Sequence, residues 1–421
     1  MHSANTATSD LQELRNRYAE LKSRGLKLDL TRGKPGAEQV SISDRLDGIL
    51  NQEFKASDGT DTRNYGGLRG LPEARELGAE LLGVDASRVM AGGNSSLQLM
   101  FLAVQTAVHA GLAGPPLREL GRSRAVCPVP GYDRHFSIME WFGIAMIAVD
   151  MGECGPDMEA TEKFVQADPA VRFVWCVPKY SNPTGCTYSS ETVRRLAKLP
   201  RLREDLDASP CYVFWDNAYA VHGFGGEDPE LDCIYAHAES EGTQDRVVLF
   251  ASTSKMTHAG SGVAFAGGSD AVLNSLQKSL AVQTVGPDKV NQLRHARLLG
   301  GRIREHMARH ARVLAPKFNV VQEGLDRHLG GLNIASWTKP RGGYFVSLDV
   351  PDGCAKATVR LAGEAGLALT PAGATFPYGV DPRDRNIRIA PTFARPNDLP
   401  IAVELLSVCV RLAWADRAAN D

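Results

Sequence analysis

Four short polar clusters each follow an apolar run of the sequence, and each carries side chains that could do chemistry. They occupy residues 92–96, 179–185, 216–219 and 252–255. In open α/β sheets, ligands bind beyond the carboxyl ends of the strands, so clusters at these places are candidates for one shared site. Together they predict a site that holds an anion beside a reactive amine.

The first and last clusters are rich in groups that bind anions. Gly93, Asn94 and Ser95 precede a predicted helix, and free N–H groups at a helix N-terminus bind phosphate or carboxylate. Ser252 and Ser254 add two hydroxyl groups from the last cluster. Taken alone, the first cluster is more often an ordinary helix cap, so its interpretation depends on the others.

A lysine and an acid each stand just beyond a buried strand. Lys255 closely follows the run 247–251 and is either a side chain that reaches out to water or a functional amine with a depressed pKa. Asp216 follows the run 212–215, where a carboxylate needs a partner cation or hydrogen-bond donors. Each position therefore has both a structural and a catalytic explanation.

Strands that are apolar along their whole length, with helices between them, must position these clusters. Such a pattern requires a mostly parallel sheet covered on both faces. We predict an α/β fold with a large domain built on a seven-stranded-type sheet, and a smaller α+β domain. The boundaries are 1–60 for the N-terminal arm and part of the small domain, 61–315 for the large domain and 316–421 for the C-terminal small domain. The predicted strands are 88–91, 125–129, 144–149, 173–177, 212–215, 247–251, 263–266, 344–350 and 386–389.

Composition excludes several classes of protein. The formal net charge of −2 over 421 residues argues against a nucleic acid or an anionic membrane as the main partner. The eight cysteines form no CxxC pair, which indicates a reducing compartment. There is no signal-peptide pattern and no apolar stretch near the roughly 20 residues that a membrane span needs. These features predict a cytoplasmic protein without a membrane partner.

The motifs resemble those of fold-type-I aminotransferases that depend on pyridoxal 5′-phosphate (PLP). The resemblance runs from Arg32-Gly33 to Arg388 and is strongest at Asn182-Pro183-Thr184-Gly185, Asp216-x-x-Tyr219 and Ser252-x-Ser254-Lys255. The segments 253–260 and 286–295 resemble a divergent bacterial branch of aspartate aminotransferase-like proteins, which is related to the effector domain of MocR-type regulators. The resemblance implies the fold class stated above and PLP as the cofactor.

The resemblance also assigns roles to the cofactor site. Lys255 would carry the cofactor covalently and move the substrate proton, and Asp216 would pair with the pyridine nitrogen. Tyr219 and Asn182 would bind the phenolic oxygen of the ring, and Tyr132 would stack on its face. The phosphate would lie on Gly93, Asn94, Ser95, Ser252 and Ser254.

Substrate and subunit roles follow in the same way. Arg388 would bind the substrate α-carboxylate with two parallel hydrogen bonds, Asn182 would contact the substrate as well, and the Arg32-Gly33 turn would close over it. Tyr65 matches a tyrosine that reaches the phosphate of the neighbouring subunit, which implies a homodimer with shared active sites.

This sequence departs from the family pattern at one position. Many relatives have an arginine about eight residues after the lysine, where it balances the phosphate charge. Here residues 260–263 read Gly-Ser-Gly-Val. Backbone N–H groups of this glycine-rich turn, together with Ser261, are candidates to replace the arginine.

The resemblance to the aspartate aminotransferase-like branch implies transfer of the amino group of L-aspartate to 2-oxoglutarate. In agreement with this, cations that could bind a second carboxylate occur at Arg32, Lys34, Arg134 and Lys289. The substrates would thus be an amino acid and a 2-oxo acid. The same residues also suit another aminotransferase specificity, a β-lyase, or a regulatory domain that binds PLP.

A metal site is not predicted. His306 and His310 have the spacing of a metal pair on a helix, but no glutamate of the HExxH type lies between them. The pair is surrounded by Arg302, Arg304, Arg309 and Arg312. We therefore predict a solvated basic helix face at these histidines.

Overall fold

The computed structural model describes residues 2–203 and 208–419 and contains alternating helices and strands. The helices are α1 His2–Ser23, α2 Ala37–Val40, α3 Pro72–Leu82, α4 Ser96–His109, α5 Asp133–Trp141, α6 Met158–Ala167, α7 Ser190–Lys198, α8 Ile234–Glu241, α9 Asp270–Ala281, α10 Lys289–Leu299, α11 Ile303–Leu329, α12 Ala355–Glu364 and α13 Leu399–Ala418. The strands are β1 Leu28–Asp29, β2 Val89–Ala91, β3 Arg124–Val129, β4 Ala145–Gly152, β5 Gly155–Pro156, β6 Val171–Cys176, β7 Tyr212–Asp216, β8 Val247–Ser252, β9 Ala264–Gly267, β10 Ser336–Trp337, β11 Val346–Asp349, β12 Leu367–Ala368 and β13 Asn386–Ile389.

The predicted α/β class is confirmed by the main sheet. Its strand order is β2-β9-β8-β7-β6-β3-β4-β5, and the neighbouring pairs among β8, β7, β6, β3 and β4 are all parallel. Helices cover both faces, so the central strands β6, β7 and β8 are buried at every residue. Seven strands match the predicted ones, and the two-residue strand β5 adds an eighth at the edge.

A separate hydrophobic core joins the two ends of the chain. Leu14, Leu21 and Leu30 pack with residues from the second half of α11 and from α12, α13 and β11. Helix α11 contacts both cores, because Ile303 belongs to the core of the main sheet and Phe318 to the core of the chain ends. The domain boundaries at 60 and 315 stay a prediction. No helix in the described part of the chain is long and apolar enough to cross a membrane.

The topology brings the four polar clusters to one edge of the sheet. Strand β9 is antiparallel to both β2 and β8, so β2 and β8 point the same way and end at the same edge. Strands β6 and β7 are parallel to β8 and also end there. Asp216 is the last residue of β7 and Ser252 the last of β8, which fixes their side chains at the edge where a ligand would bind.

Candidate active site

The small residues of the first and last clusters form one cradle. The Ser254 Oγ donates to the Asn94 carbonyl at 2.8 Å, and the Asn94 side-chain amide donates to the Gly260 carbonyl at 2.9 Å. A Cβ on Gly262 would lie 2.8 Å from the Ser254 Oγ, so only glycine allows the turn to approach this closely. The structure thus brings the predicted anion-binding residues together with the turn that lacks the arginine.

The N-terminus of α4 is open toward this cradle. Ser95 is the N-cap residue, yet its side chain makes no capping hydrogen bond. The Ser95 hydroxyl therefore does not act as the helix cap that would be the ordinary explanation of this cluster. An uncapped helix of 14 residues presents free N–H groups and a positive dipole end, which suits a phosphate.

Lys255 lies in the turn after β8 and points toward Tyr219. Its Nζ is 4.9 Å from the centre of the Tyr219 ring. Burial lowers the pKa of the Lys255 amine below its usual value, and the nearby Asp216 carboxylate opposes that shift. The Tyr344 hydroxyl holds the Lys255 carbonyl at 3.0 Å. A neutral amine at a fixed position is the form that can act as a nucleophile or a base.

The Asp216 carboxylate is buried and only half satisfied by this chain. One oxygen, Oδ2, lies 3.0 Å from the Nε2 of His135, and the His135 ring stacks on Trp175 at 4.0 Å. The other oxygen, Oδ1, is buried without a hydrogen-bond partner. A buried carboxylate oxygen needs a donor or a cation, which a protonated pyridine nitrogen provides. This orphaned oxygen is the observation by which the site fits PLP.

His135 is a site residue that the sequence interpretation missed. It lies on α5, three residues after Tyr132, and its ring meets the Tyr132 ring edge at 5.0 Å. Tyr132 is thereby held beside Asp216, where burial raises the pKa of its hydroxyl. Burial also raises the pKa of Tyr219 well above its usual value, so both phenols stay protonated and can donate hydrogen bonds.

Arg388 is buried, with a guanidinium that is incompletely paired. Its Nη1 donates to the Asp133 carboxylate at 2.9 Å and to the Asn182 side-chain oxygen at 3.4 Å, and its Nη2 donates to the Thr370 hydroxyl at 3.4 Å. The Nε is buried without a partner. The unpaired Arg388 Nε suits a substrate carboxylate, because arginine can donate two parallel hydrogen bonds to one carboxylate.

The predicted lid residues lie beside this arginine. Phe345 underlies the Arg388 guanidinium at 5.0 Å, and a Cβ on Gly33 would lie 2.3 Å from the Phe345 ring. Thr370, which contacts Arg388, also donates to the Thr31 carbonyl at 2.7 Å. The 32–33 turn therefore packs on Phe345, which itself contacts the Arg388 guanidinium. Only glycine at position 33 permits this contact.

The four candidate cations differ in their surroundings. Arg32 and Arg134 are exposed at the surface. The Lys34 amine lies 3.7 Å from the centre of the Phe393 ring. Lys289 is buried and donates to the carbonyls of Asn64 and Gly66 at 2.7 and 2.6 Å. Its amine is thus engaged by the loop that carries Tyr65.

Tyr65 projects away from the chain. Its side chain is 85% exposed, and none of the contacts found in residues 2–203 and 208–419 joins it to the cradle. The flanking carbonyls are fixed by Lys289, so the backbone beneath the exposed ring is held. A large aromatic side chain in this position suits contact with a second molecule.

The prediction of a solvated basic face at His306 and His310 is wrong. Both side chains are buried, since Ile303, Met307 and Leu314 share their face of α11 while the arginines point outward. His306 Nε2 lies 2.7 Å from the Met256 carbonyl, next to Lys255, and burial lowers the pKa of His310 to about 4. The apolar spacing i, i+4, i+11 could have revealed this buried face. No group of three potential metal ligands occurs in the described residues.

Comparison with known proteins gives a consistent result. A family model described as aspartate amino-transferase matches residues 2–421. An aspartate aminotransferase from Corynebacterium glutamicum is 44% identical over 414 residues, which cover 97% of this chain and 94% of that protein. The crystal structure of an aspartate transaminase from the same species has a TM-score of 0.93 at 43% identity, with 98% of this chain and 97% of that chain covered.

A more distant solved structure shows the same fold. It is an α-aminoadipate aminotransferase from Thermus thermophilus, crystallised with N-(5′-phosphopyridoxyl)-L-leucine. Its TM-score is 0.76 at 23% identity, covering 94% of this chain and 95% of that chain.

Proposed function

Because the chain belongs to the aspartate aminotransferase family and is an aminotransferase, we propose that it binds PLP on Lys255 and transfers the amino group of L-aspartate to 2-oxoglutarate. The observation that carries the proposal is a set of three groups near Tyr219, two of which have a buried atom without a hydrogen-bond partner. They are the Lys255 amine of lowered pKa, the Asp216 Oδ1 without a partner and the Arg388 Nε without a partner.

Each of these groups has a distinct task. Bound PLP supplies an electron sink for the negative charge that develops on the substrate Cα as its proton leaves. Asp216, oriented by His135, would pair with the pyridine nitrogen of the cofactor. Burial favours the neutral form of the Lys255 amine, and in that form Lys255 would accept the proton of the substrate Cα and later return it.

Residues from β13 and from the loop after β6 would position the substrate. Arg388 binds the α-carboxylate, and Asn182, which touches its guanidinium, limits the pose of the bound molecule. Phe345 and Gly33 form an apolar wall that keeps water from the Arg388 contact. Tyr219, whose raised pKa keeps its hydroxyl protonated, would donate a hydrogen bond to the phenolic oxygen of the cofactor, and Tyr132 would cover its ring.

The aspartate preference is supported by similarity to the C. glutamicum enzyme and by exposed cations near the site. We expect kcat/KM for L-aspartate or L-glutamate to exceed that for L-alanine or L-phenylalanine by about 100-fold, since a neutral side chain leaves the distal cation unpaired. Steady-state kinetics with 2-oxoglutarate as acceptor tests this. Higher kcat/KM for a neutral or aromatic donor would refute the assignment.

We further propose a homodimer in which Tyr65 completes the partner's site. The prediction is tested by subunit mixing of two weakly active variants, Lys255→Ala and Tyr65→Ala. If Tyr65 acts across the interface, a hybrid dimer has one complete site, and random reassociation of equal amounts restores about a quarter of wild-type activity.

The matched control mixes Tyr65→Ala with the double variant Lys255→Ala/Tyr65→Ala, because that hybrid contains no complete site. Activity that does not rise in the first mixture, although native mass spectrometry shows hybrids, would place Tyr65 in its own subunit's site or in none.

A further inference from the structure

The first two turns of α10 lie against the back of the phosphate cradle. Amide side chains on consecutive positions, Asn291 and Gln292, each donate to two backbone carbonyls of the cradle loops. These four bonds run from the Asn291 Nδ2 to the carbonyls of Ser261 at 2.8 Å and Gly262 at 3.1 Å, and from the Gln292 Nε2 to those of Ala91 at 3.2 Å and Gly92 at 3.1 Å. One helix thus holds both the loop before α4 and the glycine-rich turn after Lys255.

The helix itself is fixed in register by further contacts. Asp288 caps it by accepting from the Asn291 backbone N–H at 2.9 Å. The Gln292 Oε1 accepts from the Leu71 backbone N–H at 2.9 Å, so this buried amide is fully engaged. His295 lies 2.9 Å from the Thr257 hydroxyl. These contacts orient the amide groups of Asn291 and Gln292 toward the carbonyls of the cradle loops.

Holding a carbonyl also fixes the N–H group of the same peptide. In a trans peptide the two groups point in opposite directions, so the bonds to the Ser261 and Gly92 carbonyls aim the N–H groups of Gly262 and Gly93 away from α10. A Cβ on Gly262 would lie 2.8 Å from the Ser254 Oγ, and Gly93 is three residues before Ser96, the first residue of α4. Neither N–H group has an acceptor among the described residues. These two donors are therefore oriented toward the position of an anion.

We infer that Asn291 and Gln292 are positioning residues of the phosphate subsite, and that they replace the missing arginine by orienting backbone N–H donors. The inference rests on the proposed binding of PLP. Neutral donors that are fixed in advance bind a phosphate without the cost of ordering a flexible side chain, as in other backbone anion sites. Residues 260–263 need no cation under this arrangement.

The test measures equilibrium binding of PLP and of pyridoxal, which lacks the phosphate, to the apo form of an Asn291→Leu variant. Leucine has a similar volume, carries no charge and removes both donors. We expect the Kd for PLP to rise about 10- to 100-fold and the Kd for pyridoxal to change less than about twofold. Inorganic phosphate should compete with PLP for the wild type, and this competition should weaken in the variant.

Gln322→Met is the matched control, because the Gln322 side chain also donates to a backbone carbonyl, that of Thr338, at 3.0 Å but far from the cradle. Its two Kd values should equal those of the wild type. Equal weakening of PLP and pyridoxal by Asn291→Leu, or no weakening of either, would overturn the inference. Asn291→Ala serves as a second neutral variant, with thermal unfolding of each apo protein as the check of folding. A wild type that binds no PLP would instead overturn the proposed function.

Discussion

Replacement of Lys255 by alanine is expected to lower kcat for L-aspartate by about 10⁴-fold, because no other described side chain combines an amine with a position beside Tyr219 and Asp216. The loss has two physical parts. The nucleophilic amine that holds the cofactor disappears, and so does the base that moves the substrate proton. Water in the buried cleft cannot replace the nucleophile or the base, because it would not be held in the same orientation as the Lys255 amine.

Kinetics of Lys255→Arg separate charge from proton transfer. Arginine carries a permanent positive charge because it stays protonated at working pH, so it can act neither as a nucleophile nor as a base. We expect a loss similar to that of the alanine variant. Lys339→Ala is the control, since Lys339 is exposed and pairs only with Asp326. If Lys255→Arg retains more than about a tenth of wild-type kcat, the amine of Lys255 is not the catalytic group.

Replacement of Arg388 by lysine should lower kcat/KM for L-aspartate by about 10³-fold. The substitution keeps the charge but loses the planar fork, and two charge-assisted hydrogen bonds of about 1.5–3 kcal/mol each depend on that fork. Asp133 and Thr370 would also lose the partner that now holds them. Most of the effect should appear in KM, since the α-carboxylate is bound before and during the reaction.

Arg385→Lys is the matched control for this prediction. Arg385 is three residues away, immediately before strand β13, but its guanidinium pairs with Asp349. The control variant should keep kcat/KM within about twofold of wild type, as surface ion pairs contribute little. An Arg388→Lys variant as active as this control would show that the α-carboxylate binds elsewhere.

The central strands could be predicted from sequence because their residues follow a local pattern. Runs such as 173–177 and 212–215 are apolar at every position, and only a sheet covered on both faces buries such runs completely. The polar clusters could be assigned to one edge for the same reason, since parallel strands all end on the same side. Residues that end strands, such as Asp216 and Ser252, thus had a predictable location.

Residues that act across long sequence separations could not be predicted in this way. The contact of His135 with Asp216 joins residues 81 positions apart in the sequence and depends on how α5 packs against the sheet. The contact of Thr370 with both Arg388 and the Thr31 carbonyl likewise depends on how the two chain ends pack together. Lys289 was a candidate for the substrate carboxylate, and its bonds to the Asn64 and Gly66 carbonyls depend on the same kind of tertiary packing.

Attachment of PLP to Lys255 and amino transfer from L-aspartate are tested together by the absorbance spectrum of the PLP-reconstituted protein before and after addition of L-aspartate, without any 2-oxo acid. We predict a band of lysine-bound cofactor that is lost as aspartate converts the cofactor to pyridoxamine 5′-phosphate, with one oxaloacetate formed per site. Lys255→Ala should show neither the band nor the conversion. A wild-type spectrum that aspartate leaves unchanged, or release of ammonia in place of cofactor conversion, would contradict the account.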